Sequence, residues 1–137
     1  MKLRLPFKGN YPVTFPFGAK PTDEEVRKQF DKWGIATHRG IDFGLPQGTK
    51  VLAASSGTVI QAGENGDLGI CVIIKHRWGQ SFYAHLRQVK VAISDKVKAG
   101  GLIGLSGKTG VAFGEHLHFG IKVREVFTDP SPYLKLK

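Results

Sequence analysis

Glycine is the feature of this sequence that most constrains its fold. The 18 glycines are spread through the 137 residues and follow no repeat. Because glycine weakens helices and permits tight turns, this distribution favours many short strands over long helices. No internal repeat, low-complexity segment or interdomain linker interrupts the chain, so we expect a mainly β fold forming one domain over residues 1–137.

One segment, Thr22–Trp33, is predicted to be a short helix near the amino terminus. It opens with the capping-box pattern Thr22-Asp23-Glu24-Glu25, which places acidic residues in the first turn. Val26, Phe30 and Trp33 follow at helical spacing and give it one apolar face. We expect this helix to pack on the edge of the sheet.

Charge and hydropathy limit the partners of the chain. Its formal net charge of +9 favours an anionic partner such as nucleic acid, anionic lipid or an acidic cell-wall polymer. The positive charges form no run of five or six, which argues against a specific nucleic-acid partner. No apolar stretch approaches the roughly 20 residues that cross a bilayer, so membrane insertion is not expected.

The amino-terminal segment and the single cysteine bear on whether the chain is exported from the cytoplasm. Met1–Asn10 contains basic residues without the apolar core of a signal peptide. We expect either a protein made in the cytoplasm or a fragment of a larger exported protein. The single cysteine, Cys71, lies in an apolar run and is expected to be a buried thiol.

Two histidines, His116 and His118, stand one residue apart in the stretch Gly114–Gly120. In a strand, such residues point to one side, and Leu117 and Phe119 point to the other. An apolar back anchored in the core would hold both imidazoles rigidly, as a metal or catalytic site requires. Two surface histidines on an amphipathic strand are an equally good interpretation of the pair alone.

A second polar group, His38 and Asp42, lies in a glycine-containing segment. Their four-residue spacing would place both on one helix face, but Gly40, Gly44 and Pro46 argue against a helix. In a fully extended chain their Cα atoms would lie about 13 Å apart. A shared ligand therefore requires a bend, for which Gly40 is well placed, and a solvated loop is the alternative.

A third histidine, His85, belongs to a predicted strand at Ser81–Leu86. Strict alternation assigns Phe82, Ala84 and Leu86 to the core face, and Ser81, Tyr83 and His85 to the polar face. The glycine-rich stretch Gly100–Gly110 superficially resembles a phosphate loop. Gly101 and Gly107 are six residues apart rather than five, and no helix pattern follows, so tight turns are expected there.

Together these segments supply one acid and four histidines that could share a site: His38, Asp42, His85, His116 and His118. Three nitrogen or oxygen ligands and one open position for water are typical of catalytic zinc. The surplus histidines suit proton transfer near neutral pH. The pattern therefore indicates a metal-dependent hydrolase.

Four motifs, in this order and spacing, carry a family resemblance: His38–Asp42, Tyr83–Leu86, Gly107–Gly110 and Glu115–Phe119. They resemble the lysostaphin-type (beta-lytic) zinc metalloendopeptidases, which are peptidoglycan hydrolases that cut stem peptides and cross-bridges. The resemblance covers residues 12–124, the expected core. It implies a compact antiparallel β-sheet domain of the duplicated-hybrid-motif type, with a groove whose floor is the sheet.

The resemblance also implies roles for individual residues. It assigns His38, Asp42 and His118 as ligands of one zinc ion with a bound water, His85 and His116 as the non-ligand catalytic pair, and Tyr83 as a groove residue. The choice of His118 over His116 as a ligand comes from the resemblance alone. His76 falls where relatives commonly carry a histidine at the end of a strand, and we therefore expect a structural role for it.

The expected function is zinc-dependent hydrolysis of peptide bonds in bacterial peptidoglycan by a monomer. We expect it to act outside the cytoplasmic membrane, after phage-type release or as part of a larger exported protein. The alternative is a module that holds zinc and binds the wall, or activates other hydrolases, without hydrolysis. The helix at 22–33 resembles an insertion before His38, and we expect it to border the groove.

Overall fold

The structure is a computed structural model that describes residues 1–33, 37–110 and 114–134. Within these ranges it contains ten β-strands, two α-helices and one short 3-10 helix, Gly66–Leu68. The strands are β1 (Val13–Phe15), β2 (Ile41–Phe43), β3 (Lys50–Leu52), β4 (Gly57–Glu64), β5 (Ile70–Lys75), β6 (Gly79–Val89), β7 (Lys96–Val97), β8 (Leu102–Ser106), β9 (Leu117–Val123) and β10 (Val126–Thr128). The helices are α1 (Glu24–Trp33) and α2 (Ser131–Leu134).

All strand pairings in the described ranges are antiparallel and join into one sheet. The main order is β1-β2-β9-β6-β5-β4-β7, with β10 paired to β9, and β8 paired to both β3 and β6. Strand β9 is therefore flanked by β6 on one side, and by β2 and then β10 along its other side. The predicted mainly β, antiparallel fold is confirmed.

Strand β9 has the two-faced character that its sequence predicts. Leu117, Phe119 and Ile121 are fully buried in the main hydrophobic cluster. His118 and Lys122 alternate with them and face the opposite side. Burial of side chains of this size stabilises the fold by roughly 1.5–3 kcal/mol each, so the strand that carries His118 is firmly anchored.

Both ends of the described chain contribute to the same core. Leu3, Phe7 and Leu134 are buried in the main cluster, although they lie outside residues 12–124. The Leu3 amide donates a hydrogen bond to the Tyr133 carbonyl at 2.9 Å, which joins the two ends.

Two predictions for Tyr83 are wrong, because the residue lies in the core. It does not line the groove, and it does not belong to a polar face of its strand. Its side chain is fully buried against Phe119, with ring centroids 5.3 Å apart. Its hydroxyl oxygen accepts hydrogen bonds from the Ala54 amide at 2.8 Å and the Ser81 hydroxyl at 2.9 Å. His76 continues this buried network, with Nε2 2.7 Å from the Ser81 hydroxyl, which agrees with a structural role. Partnered hydroxyls can be buried, so the polar alternation of Ser81 and Tyr83 does not mark an exposed face.

His85 nevertheless reaches the opposite face, because β6 contains a bulge. Ile70 pairs with Leu86 and Val72 with Tyr83, so the segment of β6 between these pairs is one residue longer than that of β5. His85 takes up this extra residue with a φ of 62°. Leu86 then returns to the core, where it is fully buried.

Helix α1 confirms the predicted helix, with a different cap. It begins at Glu24, and the Asp23 carboxylate, rather than Thr22, accepts hydrogen bonds from the amides of Glu25 at 2.9 Å and Val26 at 3.2 Å. The side chain of Phe30, which belongs to this helix, is buried. The helix therefore packs firmly on the structure beside it.

The glycine-rich stretch contains strand β8, where turns alone were expected. Gly104 pairs with both Val51 and Val89. A Cβ atom at this position would lie 2.7 Å from the Gln88 carbonyl oxygen. Glycine is required here because neighbouring backbone approaches closely, and not because the chain turns.

Candidate active site

Three side chains, His38, Asp42 and His118, bring metal-binding atoms together above the sheet. Asp42 on β2 and His118 on β9 are directly paired in register, and His38 comes from the loop before β2. The Asp42 Oδ1 atom lies 2.9 Å from His118 Nδ1 and 3.2 Å from His38 Nε2, and the two nitrogens are 3.1 Å apart. The bend that a shared ligand requires is therefore present.

The geometry and chemistry of this cluster fit a zinc ion. Donor atoms arranged tetrahedrally at zinc–ligand distances lie about 3.4 Å apart, close to the three distances observed. The Pro16 carbonyl oxygen lies 3.2 Å from His38 Nδ1 and accepts a hydrogen bond from its N–H, so Nε2 keeps a free lone pair for a metal. Burial alone would raise the pKa of Asp42, but hydrogen bonds and charge interactions with His118 and His38 outweigh it and hold the pKa well below its usual value.

Gly40 allows the His38 loop to approach β9. A Cβ atom on Gly40 would lie 2.8 Å from His118 Cε1 and 2.6 Å from the Phe119 carbonyl oxygen. Either contact would push the loop away from the His118 ring. The close approach, rather than an unusual backbone angle, explains the glycine.

Replacing Gly40 with alanine is expected to weaken zinc binding about 10- to 100-fold, because the added methyl displaces His118 or the His38 loop. Competition with a chromophoric chelator would measure the affinity. Gly44→Ala is the matched control, since its Cβ would meet only side-chain atoms of Thr14 and Pro12, the nearest at 3.1 Å. Equal affinities in the two variants would contradict the argument from close approach.

His85 and His116 lie beside the cluster without joining it. Their ring centroids are 4.8 Å apart, and the His85 ring is 6.2 Å from that of His118. The Thr109 carbonyl lies 2.7 Å from His85 Nδ1, and the Gly114 carbonyl 3.1 Å from His116 Nδ1. Because a carbonyl only accepts, each Nδ1 carries a hydrogen and each Nε2 is left for other partners. His116 Nε2 lies 3.5 Å from the second carboxylate oxygen of Asp42.

His85 is held in its neutral form. Burial, assisted by the nearby His116, lowers its pKa to about 4. At neutral pH its Nε2 atom is therefore a proton acceptor. This is the state that a general base requires.

The low pKa of His85 predicts acid sensitivity in the metal-free protein. Between the unfolded pKa of 6.5 and the folded value of about 4, the unfolded chain binds more protons, so the free energy of unfolding falls as pH falls. The full loss from His85 is roughly 3 kcal/mol and ends below pH 4. Burial also lowers the pKa of His76, which adds loss in the same direction.

Urea unfolding at pH 7 and pH 4.5 measures this loss, and the His85→Gln variant is expected to lose less stability than the wild type. The Asp42 carboxylate does not interfere, because its lowered pKa places its own loss of stability below its ordinary value of 3.8. An identical fall in both proteins would show that His85 is not the titrating group.

The five predicted metal-binding and catalytic residues line one groove of about 660 Å³, whereas Tyr83 does not. We define the groove by its lining residues: Thr14, Phe15, Pro21, Thr22, Asp23, Val26, Phe30, Trp33, His38, Arg39, Asp42, Asn65, Asp67, Leu68, Phe82, His85, Glu115, His116, His118 and Phe127. Helix α1 borders it, as expected for the 22–33 segment. The Trp33 indole donates a hydrogen bond to the Asp67 carboxylate, which ties the helix to the turn between β4 and β5.

Three aromatic groove residues, Phe15, Phe82 and Phe127, were not identified from the sequence. They come from β1, β6 and β10, which are distant in the chain. Alternation had assigned Phe82 to the core, because an aromatic residue opposite two hydroxyl-bearing residues has the pattern of a buried face. Its pairing with Gly120 and the pairing of Tyr83 with Phe119 show the reverse.

Comparison with known proteins agrees with the geometry of this site. The sequence profile described as peptidase family M23 matches residues 36–130, which include all the predicted metal-binding and catalytic positions. The chain belongs to peptidase family M23.

Relatives in this family support the fold over nearly the whole chain. The catalytic domain of the antimicrobial peptidase lysostaphin from Staphylococcus simulans superposes with a TM-score of 0.79 at 32% identity, covering 93% of this chain and 94% of that one. A zinc-containing peptidase from Vibrio cholerae gives 0.82 at 28% identity, covering 100% of this chain and 40% of that one. The DD-carboxypeptidase/endopeptidase Mpg of Neisseria meningitidis is 39% identical over 112 residues, covering 81% of this chain and 24% of that protein.

The M23 chain corresponds to one part of its larger relatives. It spans about a fifth to a third of the length of the curated proteins that it matches. Of the helices in the described ranges, none has the length and apolar character needed to cross a membrane. The free cysteine, Cys71, is buried as predicted.

Proposed function

We propose that this M23 domain is a zinc-dependent endopeptidase that hydrolyses peptide bonds in bacterial peptidoglycan, in stem peptides or cross-bridges. The observation that carries the proposal is the convergence of three metal-binding atoms and two further histidines on one groove. We further propose that it acts as a monomer on the cell wall, outside the cytoplasmic membrane. Its net charge of +9 suits adsorption to an anionic wall.

His38, Asp42 and His118 would hold the zinc ion through Nε2, Oδ1 and Nδ1. Zinc, when bound, supplies Lewis-acid polarisation of the scissile carbonyl and lowers the pKa of its water. Asp42 brings a carboxylate that stays charged to low pH because its pKa is held down. The two imidazoles complete a donor set of borderline softness, which zinc prefers.

His85 is the proposed general base. Its neutral Nε2 accepts a proton from the attacking water, while the Nδ1–H donated to Thr109 keeps the ring in place. His116, whose ring centroid is 4.8 Å away, is the proposed partner: when its Nε2 carries a proton, it donates a hydrogen bond to the carbonyl oxygen on which negative charge develops. The two residues thus act in the same step, His85 on the attacking water and His116 on the carbonyl oxygen.

Mass spectrometry of muropeptides released from defined sacculi tests the proposal and identifies the bond cut. We expect new amino termini to appear, to stop with a chelator, and to return when zinc is added back. Binding to sacculi at saturating zinc without new amino termini would contradict it, and would identify a non-hydrolytic wall-binding or activating module instead.

A further inference from the structure

The groove extends past the metal cluster to Arg39, Phe82 and Phe127, and Lys122 lies beside it over the two phenylalanine rings. Along β9, His118, Gly120 and Lys122 share one face, since they stand two residues apart. Gly120 between them is buried, and a Cβ atom there would lie 3.3 Å from the Arg39 carbonyl oxygen, so the loop that carries Arg39 crosses β9 between His118 and Lys122. Lys122 lies about 13 Å from His118 along the strand, the length of about four residues of an extended peptide.

An aromatic ring gathers both cations at this end of the groove. The Lys122 ammonium lies 4.8 Å from the ring centroid of Phe127 and 5.7 Å from that of Phe82. The Arg39 guanidinium carbon lies 5.3 Å from the same Phe127 centroid. Because both distances are measured to the same Phe127 centroid, the two cations lie within about 10 Å of each other.

Neither cation has an acidic partner in the described part of the chain. The only ion pair there that involves a lysine or arginine joins Lys28 to Glu24 on α1. Two like charges on one ring repel each other, and an anion between them would remove that cost. An arginine fork and a lysine together are well suited to a carboxylate.

The acidic groups of the groove are already engaged elsewhere. Asp23 caps α1, Asp67 accepts a hydrogen bond from the Trp33 indole, and Glu115 accepts one from the Gln47 amide at 2.8 Å. These donors are neutral, so the three carboxylates keep their negative charge, but in the described residues none of them pairs with Arg39 or Lys122.

We propose that Arg39 and Lys122, held on Phe127, form a subsite for a carboxylate of the peptide substrate. We call it the basic subsite, and it rests on the proposed function. It binds a carboxylate two to four residues from the scissile bond, either on a side chain or at the peptide's end. The domain thereby favours anionic peptides over neutral ones of the same length.

Three synthetic cross-linked peptides of one sequence test the basic subsite: one with both carboxylates free, one with the side-chain carboxylate as an amide, and one with the terminal carboxylate as an amide. We expect one of the two amides to lower kcat/KM about 10- to 100-fold, which identifies the carboxylate bound. In Arg39→Gln and Lys122→Gln proteins that retain full zinc content, the ratio of kcat/KM for the free peptide to kcat/KM for the amidated peptide should fall towards unity.

Lys50→Gln is the control, because it removes one positive charge from an exposed position on β3 outside the groove, and its preference should match the wild type. Equal hydrolysis of all three peptides by the wild type would overturn the basic subsite and leave the peptidase function standing. No hydrolysis of any of them, or of sacculi, would instead count against the proposed function. An unchanged preference for the free carboxylate in both the Arg39→Gln and the Lys122→Gln protein would also overturn the subsite.

Discussion

Replacing His118 with alanine is expected to abolish hydrolysis, lowering kcat/KM at least about a thousandfold, and to remove bound zinc. His118 Nδ1 lies within 3.1 Å of both other donor atoms, so its loss leaves two ligands where a catalytic site needs three. Without zinc, the several kcal/mol that a Lewis acid supplies to the transition state are lost. Metal analysis of the purified variant and muropeptide release measure the two effects separately.

His76→Gln is the control for His118→Ala. His76 is buried and hydrogen-bonded to Ser81, but it lies outside the groove. The control should lose some stability while it retains zinc and the rate of hydrolysis. A His118→Ala protein that keeps either its zinc or its activity would refute the assignment of this ligand.

The second large effect is expected from His85→Ala and His116→Ala, which should lower kcat about 10²- to 10⁴-fold with zinc content unchanged. Neither ring belongs to the group of donor atoms, and each is held at Nδ1 by a backbone carbonyl. Loss of rate without loss of metal separates these residues from the ligands. Zinc loss in the His116→Ala protein would show that the roles of His116 and His118 are reversed.

The double variant gives a further check on the pair. Because the rings are 4.8 Å apart and act in the same step, the loss in His85→Ala/His116→Ala should be smaller than the product of the two single losses. A fully multiplicative loss would show that the two histidines act independently.

Sequence patterns predicted the structure best where burial alone decides the outcome. The alternation of Leu117 and Phe119 placed His118 on the open face, because both apolar side chains are buried in the core and the residue between them points away from it. Tyr83 was assigned wrongly, because its hydroxyl has buried partners at Ala54 and Ser81 that come from other segments. His85 was assigned to the correct face by an alternation that does not hold, since the bulge in β6 brings it there.

Long-range convergence was not available from local patterns. The residues alone grouped His38 and Asp42 with three other histidines as candidates for one site, and only the family resemblance chose His118 as the third ligand. Strand pairing supplies the physical reason, since Asp42 and His118 are register partners that are 76 residues apart. The Arg39 and Lys122 pair on Phe127 gave no signal in the sequence for the same reason.

The bulge in β6 makes this site depend on the length of the strand as much as on its residue types. Removing Ala84 would abolish the bulge and restore strict alternation, and His85 would then take the position of Ala84, the register partner of His118, even though every functional residue remained in the chain. A single insertion there would disturb the register with β5 and β9 in the opposite sense. A change of one residue in the length of this segment would therefore move the proposed base relative to the metal cluster without altering any functional side chain.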